Sequence, residues 1–411
     1  MASFAPVRLT SDGWLLFATR FIRLFAYGWL SVVLVFYLVG LGLTEWQTGL
    51  LLTLTLIGDT VISLAITTRA DRLGRRRMLI VGALLMAAAG LVFASASNLW
   101  VLLVAGTIGV LSPSGHEVGP FLSIEQAALS QVVTEESRTH VFAWYTLAGS
   151  VATALGALAA GGTTRLLQEA SLTSFNSYRA VVIGYAVLGV VLAGVFARLS
   201  RKTEVARLEG RPAAGSVASV TGLHQSRPVV LKLSALFAMD AFGGGFIVQA
   251  FTAYWFHLRF GVEPASLGAI FFWGNILAGI SALLAVRLAA RIGLVKTMVF
   301  THLPSNVLLI LVPLMPSLPL AIAMLLLRFS ISQMDVPARQ AYVMAVVAPD
   351  ERAAAGGITG VARTLGAAIS PLFVGLMFAR PATIDWPFFI AGTLKIAYDL
   401  LLYRQFAAAR S

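Results

Sequence analysis

Twelve long apolar runs, parted by short polar breaks, fix what this chain can become. They fall at approximately 14–41, 47–67, 78–96, 99–132, 140–160, 178–199, 229–258, 267–289, 297–314, 318–347, 356–378 and 386–403. A helix needs roughly 20 apolar residues to cross the hydrocarbon of a bilayer. In that solvent each backbone N–H and C=O must be satisfied within its own segment, so such runs fold as helices. The runs take up most of the 411 residues. The fourth and tenth are longer than a straight span requires, which predicts tilt or a kink.

Composition agrees. The chain is 58% hydrophobic and 12% charged, against about 45–50% and 25% in a soluble domain. It cannot cover its exterior with polar groups. That excludes a soluble enzyme, a disordered chain and a secreted scaffold. Cysteine is absent, which excludes disulfides, thiolate metal sites and a Cys nucleophile. There is no HExxH, GxSxG or GxxxxGK[ST] pattern, so no enzyme, cofactor or metal site is expected. The first run follows Met1–Asp12 without a small-residue cleavage site and is expected to be retained.

The net charge of +12 has two candidate meanings, a nucleic-acid partner or a membrane bias. Its placement decides. With the N-terminus inside, and with residues in the first or last four positions of a run counted with the adjoining segment, 20 of the 30 basic residues fall in cytoplasmic segments, 4 in outer segments and 6 within spans. This is the positive-inside pattern. It predicts a multi-pass protein of the inner or plasma membrane, both termini cytoplasmic, with no nucleic-acid partner.

Ser200–Pro228 is the longest polar stretch, rich in Arg, Gly, Ala and Ser. It divides the chain into a six-helix half over 1–200, a cytoplasmic linker over 201–228 and a second half over 229–411. The halves align as a repeat. A shift of 219 pairs Gly42 with Gly261, Gly49 with Gly268 and Arg72-Leu73-Gly74 with Arg291-Ile292-Gly293. A shift of 214 pairs Gln126 with Gln340 and Arg138 with Arg352. Duplicated units of this kind are common among transporters.

The loop after the second run reads Asp71-Arg72-Leu73-Gly74-Arg75-Arg76-Arg77. Gly74 permits a tight turn between antiparallel helices. The sequence resembles the signature loop of the major facilitator superfamily, G-x-L-a-D-R-x-G-R-[RK], at Asp71, Arg72, Gly74, Arg75 and Arg76. Thr67 stands in place of the leading Gly, and Ala290 in place of the acid in the second copy. The resemblance implies an all-α integral membrane fold of twelve transmembrane helices in two pseudo-symmetric halves. It implies a gating role for Asp71, Arg72 and Arg75. Arg138 and Arg352, in paired loops, are further gating candidates, as is Arg363, expected to meet Asp71 or carbonyl groups. The G-P-x-x-G-G pattern of drug/proton antiporters is not matched at Gly156-Ala157-Leu158-Ala159-Ala160-Gly161-Gly162.

Ionisable groups inside spans cost about 2.5–3.5 kcal/mol each on insertion scales, so each is a candidate site. By resemblance, helices one, four, seven and ten line the central cavity. Those spans hold Arg20, Arg23, Glu117, Glu125, Asp240, Arg328, Asp335 and Arg339, with Gln126 and Gln340 beside them. Glu117, Phe121 and Glu125 are expected on one helix face, and Asp335 is expected to pair with Arg339. Arg20, Arg23, Arg339, Glu125, Asp240 and Asp335 are expected to form a network closing the cytoplasmic side. Substrate or proton binding by the same groups is the competing reading. Asp59 is a further candidate proton site. Gly243-Gly244-Gly245 and Pro337 are expected to bend helices seven and ten, and Gly356 with Gly360 to form a packing face.

The expectation is a monomeric secondary transporter, its partners the bilayer, a small solute and protons, working by alternating access and leaning to proton-coupled export. One alternative is uptake or facilitated passage of an organic anion, motivated by the cavity arginines. Another, of a different class, is a non-transporting membrane sensor or scaffold.

Overall fold

The computed structural model describes residues 9–117, 119–133, 135–200, 203–204, 223–348 and 350–406, without the side chains of Asp71, residues 135–140 and residue 353. Most of the expected linker, 201–228, and the side chains of Asp71 and Arg138 therefore lie outside the described residues.

Among the described residues, fifteen α-helices account for the twelve runs. Nine runs are single helices: α1 (Ser11–Gly40), α2 (Glu45–Leu73), α3 (Arg75–Ser95), α6 (Glu135–Glu169), α7 (Ser174–Phe196), α10 (Pro264–Ile292), α11 (Leu294–Leu311), α14 (Arg352–Phe378) and α15 (Trp386–Phe406). The fourth, seventh and tenth runs are each broken into two: α4 (Leu99–Ile108) and α5 (Phe121–Val132), α8 (Arg227–Gly245) and α9 (Gln249–Phe260), α12 (Leu318–Ser332) and α13 (Asp335–Val346). Among the described residues, ten segments are long and apolar enough to cross a membrane. The remaining two runs are α4–α5 and α15.

Local chemistry sets the boundaries. The Thr44 hydroxyl accepts from Gln47 N and the Gln47 side chain accepts from Thr44 N, a capping box that starts α2. Pro337 sits in the first turn of α13, and its ring clashes with a helical carbonyl four residues back. That residue is Gln333, where α12 stops, so the expected kink is a full break. The Gly243–Gly245 run both ends α8 and packs closely: a Cβ on Gly245 would lie 2.4 Å from the Ala367 carbonyl of α14.

The repeat is visible in the backbone. Gly74 (φ 102°) joins α2 to α3, and Gly293 (φ 88°) joins α10 to α11. Both φ values suit glycine and strain other residues. The halves meet along α2 with α14 and α6 with α10. Glycines make these approaches close. A Cβ on Gly49 would lie 3.1 Å from Gly375 Cα, and one on Gly161 would lie 3.1 Å from Gly268 Cα. A shift of 219 takes Gly49 to Gly268, and a shift of 214 takes Gly161 to Gly375. The two contacts are therefore one contact repeated by the pseudo-symmetry. Large apolar side chains such as Trp100, Val104, Leu166 and Val286 stand exposed on the outer faces, as lipid-facing surface requires.

Candidate functional site

The end of the bundle bearing the Gly74 and Gly293 turns is here the basic end, and the opposite one the far end. At and above mid-depth towards the far end, the halves are tied together. Ala250 N donates to Pro113 O at 3.0 Å, Gln249 Nε2 to Ser31 Oγ at 2.8 Å and Leu372 N to Thr53 Oγ1 at 3.0 Å. Phe36 packs its ring edge-on to Tyr254 and His257. Towards the basic end of α14 the picture changes. A methyl group added at Gly357 or Gly360 would meet nothing within 4 Å, and one at Gly356 would meet only the Met344 side chain, at 3.5 Å. The expected packing face at Gly356 and Gly360 is thus open in this state.

The intramembrane charges form two clusters, one per half, rather than one closing network. In the first half, Arg23 on α1 grips Glu125 on α5 as a fork. Its Nη1 and Nη2 donate to Oε1 and Oε2 at 2.6 and 2.7 Å. Thr19 Oγ1 donates to Glu125 Oε1 at 2.9 Å, and the Tyr145 hydroxyl donates to Oε2. Arg23 and Glu125 are fully buried. Glu117 does not stack on the helix with Glu125; it precedes α5, in the loop after α4. From there it still reaches the cluster, accepting from Arg20 Nη1 and Arg23 Nε, both at 2.9 Å. Arg20 Nε donates to Tyr145 O at 2.7 Å, lying against Gly149, where a Cβ would be 2.8 Å from Arg20 Nε.

The second cluster has the reverse polarity. Here the first helix of the half carries the acid. Asp240 on α8 accepts from Lys395 Nζ on α15 at 2.7 Å and from Arg339 Nη1 on α13 at 3.0 Å. Arg339 also pairs with Asp335 at 2.9 Å, the expected i,i+4 contact. Behind them, His302 Nδ1 on α11 lies 2.9 Å from Asp399 Oδ1 on α15, and Asn306 Nδ2 donates to Asp399 Oδ2 at 3.1 Å. Tyr145, Thr19, His302, Asn306 and Asp399 were not signalled by the sequence. A lone His or Tyr on an apolar helix reads as core until its partner on another helix is known.

Among the described residues no ion pair joins the halves. The expected six-residue network does not form, because each carboxylate is satisfied by cations of its own half. Of the six basic residues within spans, Arg20, Arg23, Arg339 and Lys395 are ion-paired. Arg328 and Arg363 make no ion pair among the described residues. Both are half-buried, and Arg328 Nε is buried without a hydrogen-bond partner. Both feel the field of Asp240 and Asp335. Arg328 also acts on His116 of the other half. Gln126 is half-buried and Gln340 exposed. Asp59, on α2, is 7% exposed with Oδ1 unpartnered.

At the basic end, Arg72 and Arg352 are exposed. Arg75 is buried, and its backbone N and that of Arg76 donate to Glu204 at 2.6 and 3.1 Å. Glu204, missed in the sequence, thus caps the N-terminus of α3 from the linker. Arg75 Nη1 lies 3.5 Å from Thr203 O of the same segment. In the second half Glu351 takes the backbone N–H of His224, of Gln225 at 2.9 Å and of Ser226 at 2.8 Å. Burial pushes the Glu351 carboxyl up, but the Ser226 side chain and these N–H groups prevail and hold it at about 2.

The comparisons agree with this architecture. The Major Facilitator Superfamily model matches residues 16–371. The uncharacterized membrane protein YJR124C of Saccharomyces cerevisiae is 30% identical, over 95% of this chain and 93% of its own. Crystal structures share the fold at low identity. A mutant of the nucleoside transporter NupG is 14% identical with a TM-score of 0.76, covering 96% of this chain and 100% of that one. An inward-facing, unoccupied bacterial homolog of the human lysosomal transporter Spinster is 16% identical with a TM-score of 0.73, over 97% and 98%. The human organic anion transporter MFSD10 (TETRAN) is 16% identical with a TM-score of 0.64, over 96% and 100%. Such families carry solutes and are not made up of enzymes. This chain is a multi-pass membrane protein and belongs to the Major Facilitator Superfamily of transporters.

Proposed function

We propose that the protein is a secondary transporter of an organic anion, held between the halves by Arg328 and Arg363. The observation behind this reading is the pairing pattern. Four of the six intramembrane cations are neutralised by acids of their own half, and among the described residues these two are not. A guanidinium is permanently charged and presents a planar fork of donors matched to carboxylate or phosphate. A half-buried one without an acid partner gains most from an anionic ligand. The acids cannot serve a cationic solute in the same way, since Glu117, Glu125, Asp240 and Asp335 are already held by basic residues. The likeness of fold to an organic anion transporter is compatible with this reading.

The basic end is assigned to the cytoplasm by its Lys and Arg excess. The halves are tied at the far end and part at α14 towards the basic end, which supports a carrier open to the cytoplasm in this state and closed at its far end by the α2–α14 and α6–α10 contacts. Proton coupling is the second element of the reading. Asp59 supports it, as a buried carboxylate oxygen without a partner.

A thermal-shift screen of purified protein tests the substrate class. A ligand at 100 times its Kd stabilises the folded state by about 2.7 kcal/mol. Mono- and dicarboxylates and organic phosphates are set against nucleosides, sugars and organic cations. Anions are expected to raise the melting temperature of the wild type and not of Arg328→Gln or Arg363→Gln. Stabilisation by neutral or cationic solutes alone sinks the proposal.

A further inference from the structure

Counted over its directly ion-paired members, the second cluster is one positive charge short. Asp240, Asp335 and Asp399 are 3%, 4% and 0% exposed and contribute three negative charges. Arg339 and Lys395, 3% and 7% exposed, contribute two positive ones. In surroundings of low dielectric an uncompensated charge is expensive, and proteins meet it by taking up or releasing a proton. His302, 5% exposed, stands in the middle.

Its two ring nitrogens each face a carboxylate. Nδ1 is 2.9 Å from Asp399 Oδ1, and Nε2 is 3.7 Å from Asp240 Oδ1. A neutral imidazole has one N–H and one lone pair. With the N–H given to Asp399, the lone pair would point at the Asp240 oxygen, like against like. With the N–H turned to Asp240, the clash would move to Asp399. Imidazolium carries an N–H on both sides, one hydrogen-bonded to Asp399 and one facing Asp240 across 3.7 Å, and brings the directly paired groups to three positive and three negative charges.

We propose that His302 is a second proton-binding site, in the second half and imidazolium in this state, and that its proton is coupled to solute movement. The coupling rests on the transporter reading above; the proton site itself does not. The groups that face His302 are Asp240 on α8, Asp399, Lys395 and Tyr398 on α15, and Arg339 on α13 through Asp240. When the proton leaves Nε2 to water, Nδ1–H stays on Asp399 and one negative charge is left over. Lys395 and Arg339 are already engaged, so the excess acts on Arg363 and Arg328, which make no ion pair among the described residues and lie in the field of Asp240 and Asp335. Deprotonation then competes with the anion for its own arginines, and protonation frees them.

The experiment is nitrogen NMR on protein labelled with ¹⁵N-histidine in lipid, without any solute. The chain has five histidines, and His302→Gln identifies the signal. At pH 7 that signal is expected to show two protonated nitrogens. In Asp399→Asn, which removes one negative charge, it is expected to revert to one protonated and one bare nitrogen. If His302→Gln does not fold, the signal lost from the imidazolium region in Asp399→Asn makes the assignment. A wild-type protein with no imidazolium at pH 7 overturns the site. Failure of every anion to bind, with the imidazolium present, overturns the substrate reading and leaves the site standing.

Discussion

Gly49 on α2 and Gly375 on α14 meet backbone to backbone: a Cβ on Gly49 would lie 2.4 Å from Pro371 O, and one on Gly375 would lie 2.3 Å from Glu45 O. Neither carbonyl can yield without moving its helix. Gly49→Val therefore penalises the closed far end, where overpacking costs about 1–3 kcal/mol. Opening relieves that strain, so the mutation shifts the carrier towards its outward-open form by about 5–150-fold. Ser31 sits under this closure, bonded to Gln249. In a chain free of native cysteine, the labelling rate of Ser31→Cys by a membrane-impermeant thiol reagent is expected to rise by that factor. An unchanged rate means the α2–α14 crossing does not govern closure.

That glycine pair shows what the sequence carries and where it stops. A shift of 219 matches Gly49 with Gly268, which marks equivalent positions in two copies. It does not say that each faces the other half, since facing depends on how the copies dock. The same holds for the charges. Hydropathy and spacing locate Arg23, Glu125, Asp240 and Arg339 within spans, and the i,i+4 spacing joins Asp335 to Arg339. Whether Glu125 closes on Arg23 of its own half or Arg339 of the other is a question of three-dimensional distance. Glu204 and Asp399 are less legible still. One is an acid in a polar stretch and the other an acid near the last turn of α15, and each gains its meaning only from a helix start or a histidine brought up against it.

Arg23 and Glu125 are both fully buried. Removing one partner of such a pair leaves a bare charge and costs about 3–5 kcal/mol. Arg23→Met and Glu125→Gln are each expected to lower the unfolding temperature in detergent strongly. The double variant Arg23→Met/Glu125→Leu leaves no bare charge and is expected to recover most of the loss. Additive losses in the double variant would mean that the two residues are held by other contacts.

Glu351 gives a stability term with a definite sign. Its carboxyl sits at about 2 in the folded protein, below the usual value of about 4.3. A lowered carboxylate contributes stability that is present above the unfolded value and is lost as pH falls through the folded one. Wild-type stability is expected to decline between about pH 4.3 and pH 2, and the Glu351→Gln variant to show a shallower decline over that window. The check is an unfolding series in detergent across these pH values. Parallel profiles for the two proteins would rule out Glu351 as a contributor.

Asp59 offers the opposite test. Its buried Oδ1 has no hydrogen-bond partner among the described residues, and an unsatisfied buried polar group costs about 1–3 kcal/mol. Asp59→Asn keeps the shape and removes the ionisable group. It is expected to raise the unfolding temperature while abolishing solute accumulation driven by a proton gradient in proteoliposomes. A variant that is less stable and transports normally would make Asp59 a structural residue.

Binding of anion and proton should be linked if Arg328 and Arg363 answer to His302. Linkage is reciprocal: whatever the proton does for the anion, the anion does for the proton. For one proton per anion, affinity falls by up to about tenfold for each pH unit over the range where His302 loses its proton. An anion chosen from the thermal-shift screen, and fully ionised throughout, isolates the protein's part of this effect. Its Kd in the wild type is expected to rise with pH, and in His302→Gln to be flat and weak, because the neutral amide leaves the excess negative charge in place. Arg363→Gln should weaken binding and keep the pH slope, since the proton site is intact and Arg328 remains. A flat wild-type profile, with His302 shown by NMR to titrate over the same range, would separate the proton from the solute and leave His302 as a structural cation.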